Sequence, residues 1–412
     1  MKRLVSALLI CILLLTSLGA LASSTKTKVQ PNKYSLPVEG DTVLQSTEDR
    51  GIKPATPATR HDLIPGESPT TGLPWEGDYY LPMLVQISNP VDSVKVNGKA
   101  VKSAGIGARS PWAGQYADVV YEGILYRTGD TRISFLYSDS FAEGQPFGGA
   151  GPVRSARIGH VLLREEWQAG FVYSGGPRRE DNNIVEVFKQ TGADEKGVLF
   201  DLLSGGFVEY KNRVAKGPGV KAPPKAPDNY NANIIGLRSL IPASYVSTPH
   251  PFLFSDESPY TDGYGMAYTI NLDWGKKENI SHFMYDESTN TYLRFCGPGN
   301  DETKWAPYMS FAAVDDRLEE NKEQMSFSNI IIQRVEYEYV NNNKIMPNMQ
   351  SIGKGNADIF IGGRYIPGYW VRNSIEDPTV FYDDKGVELQ LTRGKSFIAH
   401  FPPESLCSFS AN

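Results

Sequence analysis

From Ala267 to Ala399 the chain alternates short β-branched and aromatic runs with turn signals, and that rhythm leaves little room for helix. The runs are Ala267–Leu272, Phe283–Tyr285, Thr291–Phe295, Asn329–Gln333, Ala357–Ile361, Tyr365–Trp370, Thr379–Tyr382 and Ser396–Ala399. Ile361-Gly362-Gly363 and Asp383-Asp384-Lys385-Gly386 punctuate them. Residues 244–412 therefore read as a mainly β domain, a sandwich or a partly closed barrel.

The first half mixes periods. Met83–Ile87, Asp118–Tyr126 and Thr131–Tyr137 read as strands, and Arg127-Thr128-Gly129-Asp130 joins the last two as an antiparallel hairpin. Apolar spacing predicts helices over Ser155–Gln168 and Asp181–Gln190, a strand at Phe171–Tyr173, and a short helix over Ile234–Leu240. Lys211 to Tyr230 is basic and proline-rich, the pattern of a surface loop. Residues 72–243 thus predict an α/β-type domain with a mixed sheet, and the whole chain an α+β fold.

The N-terminus predicts export. Met1-Lys2-Arg3 precedes an apolar stretch from Leu4 to Leu18, and Ala20-Leu21-Ala22 supplies the small residues of a cleavage site. Residues 1–22 read as a signal peptide cut between Ala22 and Ser23, and the protein is expected to be extracytoplasmic. Residues 23–71 are rich in Pro, Ser, Thr, Lys and Glu and read as a flexible linker. Removing Lys2 and Arg3 takes the formal charge from −6 to −8. An acidic chain of this kind is not expected to bind nucleic acid. No later segment is long and apolar enough to span a membrane. Loss of Cys11 leaves Cys296 and Cys407, which either pair or remain thiols.

Gly151-Pro152-Val153-Arg154-Ser155-Ala156-Arg157 carries a resemblance, together with Thr71–Pro74, Ala117–Glu122 and Thr131-Arg132. With Gly353-Lys354-Gly355, Gly368-Tyr369-Trp370, Pro378–Asp383 and Asp384-Lys385-Gly386, the chain resembles the YerB-like lipoprotein family over residues 70 to 402. The resemblance implies a bacterial extracytoplasmic protein of two parts and brings no established reaction. Family members carry a lipid-attachment cysteine after the signal, which this chain lacks. Tyr173 and Asp228 stand where the family pattern has histidines.

The chemistry centres on arginine. Gly148–Arg157 and Ser174–Arg179 each place glycines and arginines ahead of a predicted helix, where free N–H groups and the positive helix end favour an anion. Arg154, Ser155 and Arg157, with Glu122, Arg132 and Arg178, form the candidate ligand-binding set. The structural alternative has Ser155 capping the helix and the arginines pairing with Glu122 or Asp118. Glu122 with Asp130 could serve a hydrolase as paired carboxylates. The five histidines are scattered and no Cys-x-x-Cys occurs, so neither a metal site nor a cofactor is expected. Trp75, Tyr79, Tyr80, Trp112, Tyr116 and Tyr121, and in the second half Trp274, Trp305, Tyr365, Tyr369 and Trp370, suit glycans or peptides where exposed and a core where not. The favoured function is non-catalytic binding of an anionic cell-envelope ligand or an envelope protein. An envelope hydrolase using Glu122 and an envelope scaffold are the alternatives.

Overall fold

The computed structural model describes residues 37–44, 46–76, 80–138, 149–180, 182–213, 228–261, 263–311, 322–339 and 346–411. The expected signal peptide, its cleavage point, the start of the linker and most of the 211–230 loop lie outside them.

Strands β1 (Thr42–Leu44), β2 (Met83–Ser88), β3 (Val119–Ile124) and β4 (Thr131–Tyr137) are followed by helix α1 (Ile158–Trp167) and strand β5 (Gly170–Tyr173). Helix α2 (Ile184–Thr191), strand β6 (Leu199–Asp201) and the short helix α3 (Ile234–Arg238) complete the first half. The second half supplies β7 (Thr269–Lys276), β8 (Asn279–Asp286), β9 (Thr291–Cys296), β10 (Asn329–Arg334), β11 (Gly353–Ile361), β12 (Arg364–Arg372), β13 (Ser396–Phe401) and β14 (Cys407–Ser410).

The expected α+β fold with an α/β N-terminal domain is not what these elements build. Strand accounts for 43% of the structure and helix for 12%, so the molecule is mostly β. An eleven-stranded sheet runs β6-β5-β2-β4-β3-β13-β10-β11-β12 and ends in short edge strands. It crosses from one half of the sequence to the other where β3 pairs in parallel with β13. The strands read as a separate β unit are thus divided: β10 to β13 extend the first half's sheet. The others join a seven-stranded sheet of order β1-β14-β7-β8-β9.

Alternation decides what each face meets. Val85, Ile87, Val120, Ile133, Phe135, Ile330, Ile332, Phe397 and Ala399 pack with Ile270, Leu272, Trp274 and Phe283 of the second sheet. On the opposite face, Leu84, Val119, Tyr121, Leu136, Ile331 and Ile398 pack with Val161, Leu163 and Trp167 of α1 and with Ile184 and Phe188 of α2. Helix α2 starts where the Asn183 side chain accepts from the Val185 N–H, and ends at Gly192 with φ 66°.

The linker expected over residues 23–71 contributes folded structure from Thr42 onward. β1 pairs with β14. Arg50 reaches the buried carboxylate of Asp358 and donates to the Ala357 and Gly368 carbonyls. Burial alone would raise the Asp358 carboxyl, but Arg334 and Arg50 outweigh it and hold it below its ordinary value.

Cys296 and Cys407 are free, buried thiols. Cys407 is opposite Leu272, Leu272 opposite Ser281, and Ser281 opposite Cys296, so three strand spacings separate them. That is about 14 Å, twice the Cα separation a disulfide tolerates. Among the described residues no helix is long and apolar enough to cross a membrane.

Candidate functional site

Glu122 and the arginines part company at β3. Glu122 lies opposite Ile133, on the face toward the second sheet, whereas its neighbour Gly123 lies opposite Arg132, on the helix-covered face. Glu122 is fully buried and meets Arg294 of β9 at 2.6 Å. It also accepts from Thr131 Oγ1 at 2.6 Å and from Asn89 Nδ2 at 3.1 Å. The Arg294 guanidinium lies 3.9 Å from the centre of the Tyr308 ring. Glu122 is therefore one half of a buried ion pair clamping the two sheets, not a group facing a cleft. Asp130, its expected companion, pairs with Lys276.

The other face holds the arginine cluster. Ser88, Arg132, Gly123 and His400 are successive register partners across β2, β4, β3 and β13. Gly123 has no side chain, and a Cβ there would lie 2.9 Å from the Tyr337 hydroxyl. The gap opens into a cavity of about 20 Å³ lined by Arg132, Arg157, His160, His400, Tyr121 and Tyr337. That is room for about one water-sized group. Only the anionic end of a larger ligand would fit.

Helix α1 begins later than its apolar spacing suggests, at Ile158, with Arg157 rather than Ser155 at the N-cap. The Arg157 N–H donates to His160 Nδ1 at 3.1 Å, so neutral His160 carries its proton on Nε2. Ser155 Oγ accepts from Arg157 at 2.9 Å, which orients the guanidinium instead of capping the helix. Arg157 also donates to the Tyr126 hydroxyl at 3.3 Å. Burial, with Arg132 and Arg157 close by, holds His160 well below its ordinary value.

Arg132 is 3% exposed and donates to the Ile87 carbonyl at 3.4 Å. Its Nε has no partner, and neither has the Nε of Arg157. Neither residue has a carboxylate partner among the described residues. Burial and the neighbouring guanidiniums of Arg157 and Arg154 lower Arg132 from its ordinary value. Arg154 contacts Asp228 at 3.6 Å, and the same carboxylate lies 4.0 Å from Arg109.

The two glycine–arginine loops lie side by side. The Ala156 N–H donates to the Gly175 carbonyl at 2.9 Å, and the Ser174 N–H to the Arg154 carbonyl at 3.0 Å. Arg178 diverges into an exposed two-residue strand paired with Asn182-Asn183, opposite the residue that caps α2. Of the six sequence-predicted residues, Arg132, Arg154, Ser155 and Arg157 come together. Glu122 and Arg178 do not. His160 and His400 were missed as site residues. The register that faces His400 toward Arg132 across Gly123 is not written in local sequence.

Ser88 and Tyr173 end the parallel strands β2 and β5, so the cluster occupies the carboxyl edge of that part of the sheet, where ligands gather in folds with parallel strands. Among the described residues, no three or more His, Cys, Asp and Glu side chains gather to hold a metal.

Fold and cavity together define a protein of two packed sheets with an arginine-lined cavity under the N-terminus of a helix. The chain belongs to the family described as "Protein of unknown function (DUF3048)", matching its N-terminal domain over residues 86–215 and its C-terminal domain over residues 270–398. It is similar in structure to the YerB protein from Bacillus subtilis, with a TM-score of 0.57 and 19% identity over 82% of this chain and 96% of that one. At that identity the likeness speaks for the fold. The YerB-like resemblance read from the motifs is borne out. No curated protein matches the chain.

Proposed function

We propose that this is a non-catalytic binding protein whose Arg132–Arg157 cavity receives a carboxylate or phosphate group of a cell-envelope ligand outside the cytoplasm. The observation that carries the reading is Arg132, a buried guanidinium in salt-bridge contact with no described carboxylate and with an unpartnered Nε, which lines a cavity beneath a helix N-terminus. Such a charge is costly by itself and becomes favourable when an anion arrives with the geometry to accept its donors. The signal-like N-terminus supports an extracytoplasmic setting. Glu122, enclosed by Arg294, Thr131 and Asn89, gives a hydrolase no accessible carboxylate.

Thermal unfolding with inorganic phosphate or citrate tests the proposal. The wild type is expected to gain stability with added anion, about 2.7 kcal/mol at a hundredfold excess over the dissociation constant. Arg132→Met is expected to raise ligand-free stability by about 1–2 kcal/mol and to abolish the anion effect. An unchanged wild-type melting temperature with both anions, or an anion shift that survives Arg132→Met, would overturn it.

A further inference from the structure

At the opposite edge of the central sheet lies a larger cleft. Asp118 and Ser396, which lead into β3 and β13, mark that amino edge, about 15 Å along the strands from the row that holds Arg132. The cleft encloses about 600 Å³, the size of a small-molecule site, and its wall is mainly apolar. Trp75, Tyr116, Leu73 and Pro74 supply that wall. Thr71, Thr291, Ser326 and Ser328 bring hydroxyl groups, and Lys395 adds an ammonium that donates to the Gln115 carbonyl at 3.0 Å.

The aromatic wall is pinned. The Trp75 N–H donates to the Gly66 carbonyl at 3.0 Å, and the Ser68 N–H to the Leu73 carbonyl at 2.9 Å. Ser68 Oγ accepts from the Thr71 N–H at 3.0 Å, and Arg393 clamps Glu67 at 2.6 Å. Gly72 turns the loop at φ 67° with its Cα against the Phe254 ring, where a Cβ would lie 2.4 Å from ring carbon. Most other aromatics singled out in the sequence lie in the core: Tyr80, Trp112, Tyr121, Trp274, Trp305, Tyr369 and Trp370 are buried. Trp75 and Tyr116 keep part of their surface open on one cleft.

We propose that this cleft binds a saccharide chain, its sugar rings lying against Trp75 and Tyr116 and its hydroxyls meeting the Thr and Ser side chains and Lys395. A sugar ring has an apolar face and a polar rim, and the cleft divides its lining in the same way. A peptide that adds as a strand needs an open strand edge, and β3 and β13 are paired on both sides. The proposal stands independently of the anion cavity.

Titration calorimetry with glucose, N-acetylglucosamine and mannose tetrasaccharides, and with a proline-rich decapeptide as competitor class, tests it. At least one tetrasaccharide is expected to bind, with Trp75→Ala and Tyr116→Ala each weakening it about tenfold. Arg132→Met should bind it as the wild type does. Both aromatic side chains are partly exposed, so unchanged melting temperatures would certify the variants. Trp75→Phe, keeping a ring face, should recover part of the affinity. No heat with any tetrasaccharide, binding of the peptide alone, or wild-type affinity in both alanine variants would overturn the proposal.

Discussion

A carboxylate in an otherwise apolar strand invites a catalytic reading, and Glu122 shows what else it can be. Its oxygens are taken by Arg294, Thr131 and Asn89, and Arg294 in turn lies against Tyr308. Removing one member of such a pair strands the other in a medium that solvates it poorly. Glu122→Gln is therefore expected to lose about 3–5 kcal/mol by urea unfolding, and Arg294→Met a similar amount. The double variant Glu122→Gln/Arg294→Met should lose clearly less than the sum, because neither leaves an orphan charge. Additive losses would show that the pair does not act as a unit. The sequence did hold a signal. Glu122 follows Val119-Val120-Tyr121, and Arg294 stands within Tyr292-Leu293-Arg294-Phe295, each a charge set in an apolar run. A charge so placed requires a partner, but which partner depends on a register between distant strands.

At the scale of elements, local pattern went far. The expected hairpin stands at Val119–Ile124 and Thr131–Tyr137, the two main helices begin a few residues late, and the strand-like runs of the second half all became strands. What local pattern lacks is partnership: alternation says which side of a strand is buried, not which strand lies beside it. Hence Ser396–Phe401, read with its sequence neighbours, sits between β3 and β10. The segment before Thr71 was misjudged for a related reason. Its polar composition suits a tether, yet Arg50 finds Asp358, more than three hundred residues away. Arg50→Ala should cost about 1.5–3 kcal/mol, the range for hydrogen bonds to a charged group. It should also expose the segment between Leu44 and Thr71 to limited proteolysis. A cleavage pattern identical to the wild type would show that the strap is held without it.

For the molecule as a whole, acid should be a cooperative threat. His160, His250, His282 and His400 are all held below their ordinary value by burial, His282 and His400 down to about 3. The unfolded chain protonates each near pH 6.5 while the folded chain does not. Their contribution is therefore intact above about pH 6.5 and shrinks as pH falls toward the folded values, at about 1.4 kcal/mol per pH unit for each residue. All four act in the same direction, so stability falls more steeply with acid than any one of them would make it fall. His250 lies tilted against Trp167, ring centres 4.5 Å apart, with its Nδ1 unpartnered, so His250→Phe should retain the packing and flatten the pH profile by about one proton. Urea midpoints at pH 7, 6 and 5 would measure this; parallel profiles for variant and wild type would refute it.

The place of β13 also sets the order in which the molecule can be made. A chain emerging from the ribosome completes β3 early and β10 much later, and the strand that joins them later still. Until Phe401 is released, each half-sheet presents a bare apolar edge, the kind of surface that chaperones bind and that seeds misassembly. Deleting Ser396–Phe401 would thus produce not a smaller protein but two half-sheets with no seam.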